Sequence, residues 1–460
     1  MPTAFTPSQD LFDYLARAAQ TPLPDAVQRA TVMHVMDTVA AIVSGSQLPA
    51  GRLGARLGRS LGGPPEALIV GTADRVGAAA AALANGMAAH ADETDDSHAP
   101  SLSHPGCAVV PAALAAAERG NSSGESFLRA VAAGYDVGCR VGRALGREAV
   151  DLRHSRPSSH AIVSTFGAAA AAAVLQGANT SQCAHILSYA AQRATGVTTW
   201  QRDPDHLEKA YDFAGSPAHS GLLAALAVAQ GGTGVHDVFD GHPNYLDAVS
   251  AAPKPAELGA ELGTRYEITL TNIKRYSVGS PAQAAVQAAE ELLADHRLDV
   301  AELRRIEILL PADLAGVVDD RSMPDVNVQY LVAGTLLDGR CSFEMSHDVS
   351  RMESDDVLRL RRLTAVVPDE DRAGTRAAEV RLHLSTGAVY ARTVNHVAGT
   401  VENPMSAQQV HTKTVDVMRP CLGDQRSDEV TAALAGIGEL RDLRPLLDLL
   451  RGEVWRDDAH

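Results

Sequence analysis

Two alanine-rich apolar segments, Gly77 to Ala89 and Cys107 to Ala117, constrain this chain more than any other feature. Helices with so little polar surface pack inside a protein, and they carry inward whatever joins them. What joins them is His90 to Gly106, reading His-Ala-Asp-Glu-Thr-Asp-Asp-Ser-His-Ala-Pro-Ser-Leu-Ser-His-Pro-Gly. Three histidines and four carboxylates held in a cleft would acquire the shifted pKa values that acid–base chemistry uses. The same composition also suits a solvated loop rich in Asp and Ser.

The rest of the chain can supply such a cleft. With 460 residues, 45% of them apolar, it can bury a large core and suggests two or three domains. Scarce aromatics and abundant alanine favour closely packed helices. Helical patterns run from the Thr6-Pro7 cap through Pro24 to Gly45, Arg52 to Leu61, Glu125 to Leu145, Ala161 to Leu175, Ser181 to Thr195 and Ser216 to Ala229. Past Asp240-Gly241 the texture changes. Tyr266 to Leu270, Arg305 to Leu309 and Val380 to Leu384 alternate like strands, and Ser385-Thr-Gly387 joins the last to Val389 to Val394 as a hairpin. Helical patterns return after Asn403-Pro404. The expected fold is mainly α: a helical domain over 1–264, a smaller α+β domain over 265–397, and C-terminal helices over 398–460 that rejoin the first domain.

Charge and cysteines exclude whole classes of function. Forty Lys and Arg against 56 Asp and Glu give a formal net charge of −16, so no basic surface for nucleic acid is expected. Five cysteines stand singly, at 107, 139, 183, 341 and 421, without the paired spacing of a zinc or iron–sulfur site. They suit a reducing cytosol. No signal peptide and no membrane-spanning segment is read, which gives a cytoplasmic expectation with no membrane partner. There is no G-x-S-x-G elbow, Walker loop or strand-borne G-x-G-x-x-G, so acyl transfer, phosphoryl transfer and dinucleotide use lack support.

Lysine occurs at only four positions: 209, 254, 274 and 413. Lys209 precedes a run of small residues that would let a ligand approach the backbone, and it equally suits a solvated surface. Lys274-Arg-Tyr-Ser-Val-Gly-Ser280-Pro sets two cations ahead of a helix start, as an anion site does, and an ordinary helix entry reads the same way. His104-Pro-Gly opens another helix where a carboxylate would be favoured. Arg153, His154, Arg156 and His160 precede the helix at Thr165-Phe-Gly, again an anion site or a plain capped start. Tyr330 sits in an apolar helix, the usual place of a core tyrosine.

Taken together, His90-Ala-Asp-x-x-Asp-Asp-Ser-His with His-Pro-Gly, Thr-Phe-Gly-Ala-Ala, Glu-Lys-Ala, Lys-Arg-Tyr-Ser, Gln-Tyr-Leu-Val-Ala and Glu-Asn-Pro-Met resemble the MmgE/PrpD family over nearly the whole chain. That family includes 2-methylcitrate dehydratase, cis-aconitate decarboxylase and iminodisuccinate epimerase. The resemblance implies a helical domain, an α+β lid, a cleft between them, a homodimer, and chemistry without a metal or an organic cofactor. It implies Asp92, Ser97, His104, Lys209, Lys274 and Tyr330 as site residues. His104 would be the base or acid, the two lysines would hold carboxylates, Tyr330 would donate a proton and Asp92 would orient an imidazole. Ser97 and Ser280 join the substrate contacts and His160 the catalytic set. Two departures stand out. The family histidine before the Ser-Thr-Phe-Gly helix falls by strict spacing at Ala161, one residue from His160, and Gly279-Ser280-Pro281 replaces a histidine past the second lysine. The implied reaction is a lyase step on a di- or tricarboxylate, led by dehydration of a 2-methylcitrate-like hydroxy acid. Epimerisation of an iminodisuccinate-like acid and cis-aconitate-type decarboxylation are the alternatives, and a non-catalytic carboxylate-binding protein is the alternative from another class.

Overall fold

The structure, a computed structural model, describes residues 7–146 and 157–452. The expectations at Thr6, Arg153, His154 and Arg156 lie outside the described residues. The chain is mainly α, and it divides into two compact units. One comprises the described residues up to Ala91, Asp95–Asn272 and those from Cys421 onward; the other comprises Asp92–Thr94 and Ile273–Pro420.

The first unit is built from helices α1 (Pro7–Ala18), α2 (Asp25–Gly45), α3 (Pro49–Leu61), α4 (Ala78–Ala89), α5 (Gly106–Gly120), α6 (Gly124–Ala144), α7 (Ser159–Leu175), α8 (Thr180–Ala191), α9 (Leu207–Ala210) and α10 (Ser216–Ala229). A two-residue ladder, β1 (Ala67–Leu68) with β2 (Arg75–Val76), precedes α4. Helix α7 is the centre of this unit, because every residue from Ser159 to Val174 is buried. Small side chains make that possible. A Cβ at Gly138 of α6 would lie 2.5 Å from the Val163 carbonyl oxygen, and one at Gly221 of α10 would lie 2.7 Å from that of Thr165. The three helices therefore approach backbone to backbone, as the alanine and glycine content predicts.

The second unit has a four-stranded sheet in the order β4-β3-β5-β6, formed by β3 (Leu303–Pro311), β4 (Thr364–Asp369), β5 (Ala378–Leu384) and β6 (Val389–Val394). β3 pairs in parallel with β4 and antiparallel with β5, and β5 and β6 form the expected hairpin. Ile306, Ile308 and Leu310 of β3 share one buried core with Val380 and Leu382 of β5. Helices Gln283–Asp295 and Val328–Asp338 cover it.

Three expectations are corrected. Tyr266 to Leu270 is not a strand; Glu267–Leu270 is a turn of 3-10 helix. The alternation misled because Glu267 faces inward, fully buried, with its N–H donating to Asp136 at 2.6 Å and its carboxylate facing His98 and Arg265. The second unit runs over 273–420 where 265–397 was expected, and the long helix Ala407–Ala435 kinks at Gly423 close to the change of unit. Residues 92–94 belong to the second unit although their neighbours in sequence belong to the first. Three contacts hold them there: Asp92 to His347, Glu93 to Lys274, and the Thr94 carbonyl to Lys413.

Candidate active site

In the first unit, the ends of α4, α5 and α7 bring three imidazoles together. His90 caps the C-terminus of α4, His104 stands two residues before α5, and His160 lies in the first turn of α7. Phe213 is the hub. Its ring stacks on His160 at 3.8 Å and on His90 at 4.6 Å, with His104 at 5.7 Å between ring centroids. Phe213 sits in a single turn of π-helix, Tyr211–Gly215, wedged between α9 and α10. Such wide turns recur at functional sites because they push one side chain out of the regular helical register. Trp200 meets both His160 and Phe213 edge-on. Lys209 of α9 places its ammonium 5.5 Å from the Phe213 centroid.

The His90–Gly106 loop is buried rather than solvated. Asp95 and Asp96 are fully inaccessible, and each fixes part of the cluster. Asp95 accepts from His90 Nδ1 at 2.7 Å and lies 3.5 Å from His104 Nδ1, so one carboxylate serves two imidazoles. Asp96 anchors the start of α5. Its carboxylate accepts from the Gly106 N–H at 3.0 Å, the Tyr135 hydroxyl at 2.5 Å and His34 at 2.9 Å. Its carbonyl takes the Nδ1 hydrogen of His104 at 2.6 Å. That contact leaves Nε2 of His104 as the nitrogen open to proton exchange.

Electrostatics disfavour the charged forms of His160 and His90. Burial pushes the pKa of His160 well below its ordinary value of 6.5, and the charges of His104, His90 and Lys209 push it the same way. Burial also lowers His90, outweighing the pull of Asp95. Their places in the fold agree for His160, since a helix N-terminus disfavours a cation.

The second unit holds a different arrangement. His347 lies 3.2 Å from Asp92, an ion pair whose geometry is not that of an aligned hydrogen bond. Burial opposes the charge on His347, but Asp92 overcomes it and raises the pKa to about 9. Burial would raise Asp92 too, yet His347 and the Thr94 N–H hold it below the usual carboxylate range. Lys274 is buried and lies 3.2 Å from Glu93.

The structure thus brings together His104, His160 and Lys209 of the expected residues, and adds His90, Asp95 and Phe213 to them. Ser97 is half-buried and pairs through its backbone with Asn272. Asp92 was expected to orient an imidazole of the site; it lies 3.2 Å from the imidazole of His347, a residue sequence reasoning missed. Its only signal was a carboxylate motif in need of a cation. Ser280 opens a short 3-10 turn, Ser280–Ala282. Tyr330 is a core residue: it is fully buried, its hydroxyl donates to the Met345 carbonyl at 2.5 Å, and burial raises its pKa further out of the range of a proton donor. His98 is also structural, held between Ser101 at 2.7 Å and Glu267 at 3.1 Å. No helix among the described residues is long and apolar enough to cross a membrane.

Comparison with known proteins extends over both units. Residues 9–258 match the MmgE/PrpD N-terminal domain and residues 276–435 the MmgE/PrpD C-terminal domain. The chain is 24% identical to cis-aconitate decarboxylase of Aspergillus terreus over 462 residues, covering 94% of this chain and 92% of the relative. It is 24% identical to the cis-aconitate decarboxylase-like protein oryM of Aspergillus oryzae over 97% of both chains, and to cis-aconitate decarboxylase of Mus musculus over 82% of this chain and 80% of the relative.

Proposed function

We propose that this chain, which belongs to the MmgE/PrpD family, is a lyase that moves a proton at a carbon next to a carboxylate of a small di- or tricarboxylate. The observation that carries the reading is the tautomer of His104. Its Nδ1 hydrogen is given to the Asp96 carbonyl, so Nε2 is the ring nitrogen left to accept a proton. Of the three clustered imidazoles its ring is the most accessible, at 14%. A neutral acceptor suits a reaction that begins by removing a proton, and dehydration of a hydroxy acid is such a reaction.

In that scheme His104 Nε2 takes the proton from the carbon, and the electron pair left behind expels the hydroxyl as the double bond forms. The leaving oxygen needs a proton. That proton comes back from the His104 imidazolium formed in the same step, and the neutral ring of His160, 5.2 Å from that of His104, would accept a hydrogen bond from the substrate. Lys209, the candidate carboxylate holder, would stabilise the charge that grows on the carboxylate during proton removal. Asp95 would stabilise the His104 imidazolium once it forms. Lys274, Ser97 and Ser280 are proposed substrate contacts on their motifs alone.

Decarboxylation of a cis-aconitate-type acid is the second reading, favoured by the relatives that align over most of the chain. It reverses the proton demand, since the group that protonates the carbanion must begin protonated. The two readings part in one experiment. Methylcitrate, citrate, cis-aconitate and iminodisuccinate are each incubated with the protein in deuterated buffer and followed by NMR. The leading reading expects a hydroxy acid to lose water. Loss of carbon dioxide from cis-aconitate would replace it with the second. Neither turnover nor deuterium uptake with any of the four would overturn both.

A further inference from the structure

We propose that His90, Asp95 and Cys107 form a binding site for a thiophilic divalent cation such as Zn2+ or Co2+, beside the histidine cluster. All three residues are buried in the first unit, and one donor atom of each lies within 4.8 Å of those of the other two. Zinc holds imidazole, carboxylate and thiolate at about 2.0–2.3 Å in a tetrahedron, which sets two donors roughly 3.3–3.7 Å apart. The set closes on an ion with side-chain movements of about an ångström.

Three separate elements supply the donors. His90 ends α4, Asp95 lies in the loop that follows, and Cys107 occupies the first turn of α5. His90 Nδ1 faces the Asp95 carboxylate at 2.7 Å, so a cation shared by the two takes the place of the hydrogen between them. The Cys107 thiol now donates to the His104 carbonyl at 3.0 Å. On binding, that S–H proton passes to solvent, the His90 ring hydrogen moves from Nδ1 to Nε2, and the sulfur bonds to the cation, with a water completing the shell.

The donor chemistry sets the specificity. Thiolate with imidazole selects zinc, cobalt and their neighbours over magnesium and calcium, which want oxygen alone. Among the described residues this set brings a cysteine together with both a histidine and a carboxylate. A cation there would be no reactant. It would draw the thiol away from the His104 backbone and restrain the imidazole pair, a consequence that rests on the function proposed above and is separate from binding itself.

The test is optical and needs no substrate. The full chain is stripped with a chelator and titrated with Co2+ under reducing, oxygen-free conditions. The expected result is a thiolate-to-cobalt charge-transfer band that saturates at one cobalt per chain and is displaced by Zn2+. Cys107→Ser should abolish the band, while His90→Gln and Asp95→Asn should each weaken cobalt binding at least tenfold. The absence of a band in the unmodified chain, a band that survives Cys107→Ser, or cobalt affinity unchanged in both His90→Gln and Asp95→Asn would overturn the site.

Discussion

His160 in the first unit and His347 in the second are both buried histidines, and they end in opposite charge states. His160 is stacked on Phe213, shares its surroundings with two other imidazoles and an ammonium, and stays neutral. His347 faces one ionised carboxylate and stays protonated past neutrality. Burial disfavours the charge in both places, so the neighbour decides the sign. His90 marks the boundary between the two outcomes. It has a carboxylate at 2.7 Å, closer than that of His347, yet its pKa is lowered because full burial and the nearby cations prevail. A neutral imidazole is fit to accept a proton. A charged one is fit to hold an anionic segment in place, and His347 does this for the segment that contains Asp92.

The largest effect expected from this difference is on turnover. His104→Ala should lower turnover by about 10²–10⁴-fold if the ring transfers the proton, with little change in melting temperature. His98→Ala should do the reverse. It leaves the buried Glu267 without one of its partners, a cost of roughly 1–3 kcal/mol in stability, and the fraction that remains folded should turn over normally. Kinetics and thermal melts on the two variants check both statements. Equal kinetic losses would remove the distinction between a reacting and a structural histidine.

A second expectation concerns packing around α7. Gly138→Ala would force a methyl group to 2.5 Å from the Val163 carbonyl oxygen, and overpacking of this kind costs about 1–3 kcal/mol. Chemical denaturation should register that loss. A variant as stable as the parent would show that the α6–α7 contact is looser than described.

The pH dependence of stability should run in opposite directions at the two histidines. The folded-state pKa of His160 lies below the unfolded value of 6.5. Below that pH the unfolded chain takes up a proton that the folded chain refuses, so this contribution is present above 6.5 and fades as pH falls. The folded-state pKa of His347, at about 9, lies above 6.5. Its contribution is complete below 6.5 and is lost as pH rises toward 9. His347→Gln should therefore destabilise the protein most near pH 6, and the gap to the parent should close by about pH 9. A gap that widened with pH would reverse the assignment.

Much of this was legible in the sequence, though unevenly. Long apolar patterns gave α2, α6 and α7, and strict alternation with a Gly turn gave the β5–β6 hairpin. The His90–Gly106 motif gave His104. Local pattern failed where a tertiary contact overrode it, as at Glu267. It also failed to find β4, whose Pro368 argues against a strand; the sheet tolerates it because β4 lies at the edge, where a missing N–H costs little. His347 was invisible because its meaning depends on Asp92, more than 250 residues away in the chain. Phe213 was equally silent, since a π-helical turn has no simple sequence signature.

The contrast is between neutral imidazoles at His160 and His90 in one unit and a charged imidazole at His347 in the other. It is tested most directly by an NMR titration of the protein with nitrogen-15-labelled histidine, with His160 and His347 assigned by their Gln variants. The His160 ring should keep the nitrogen shifts of a neutral imidazole from about pH 9 down past its ordinary titration point near 6.5. The His347 ring should remain an imidazolium at pH 7 and lose its proton near pH 9. A His160 ring already charged at neutral pH, or two rings that titrate together, would contradict the account.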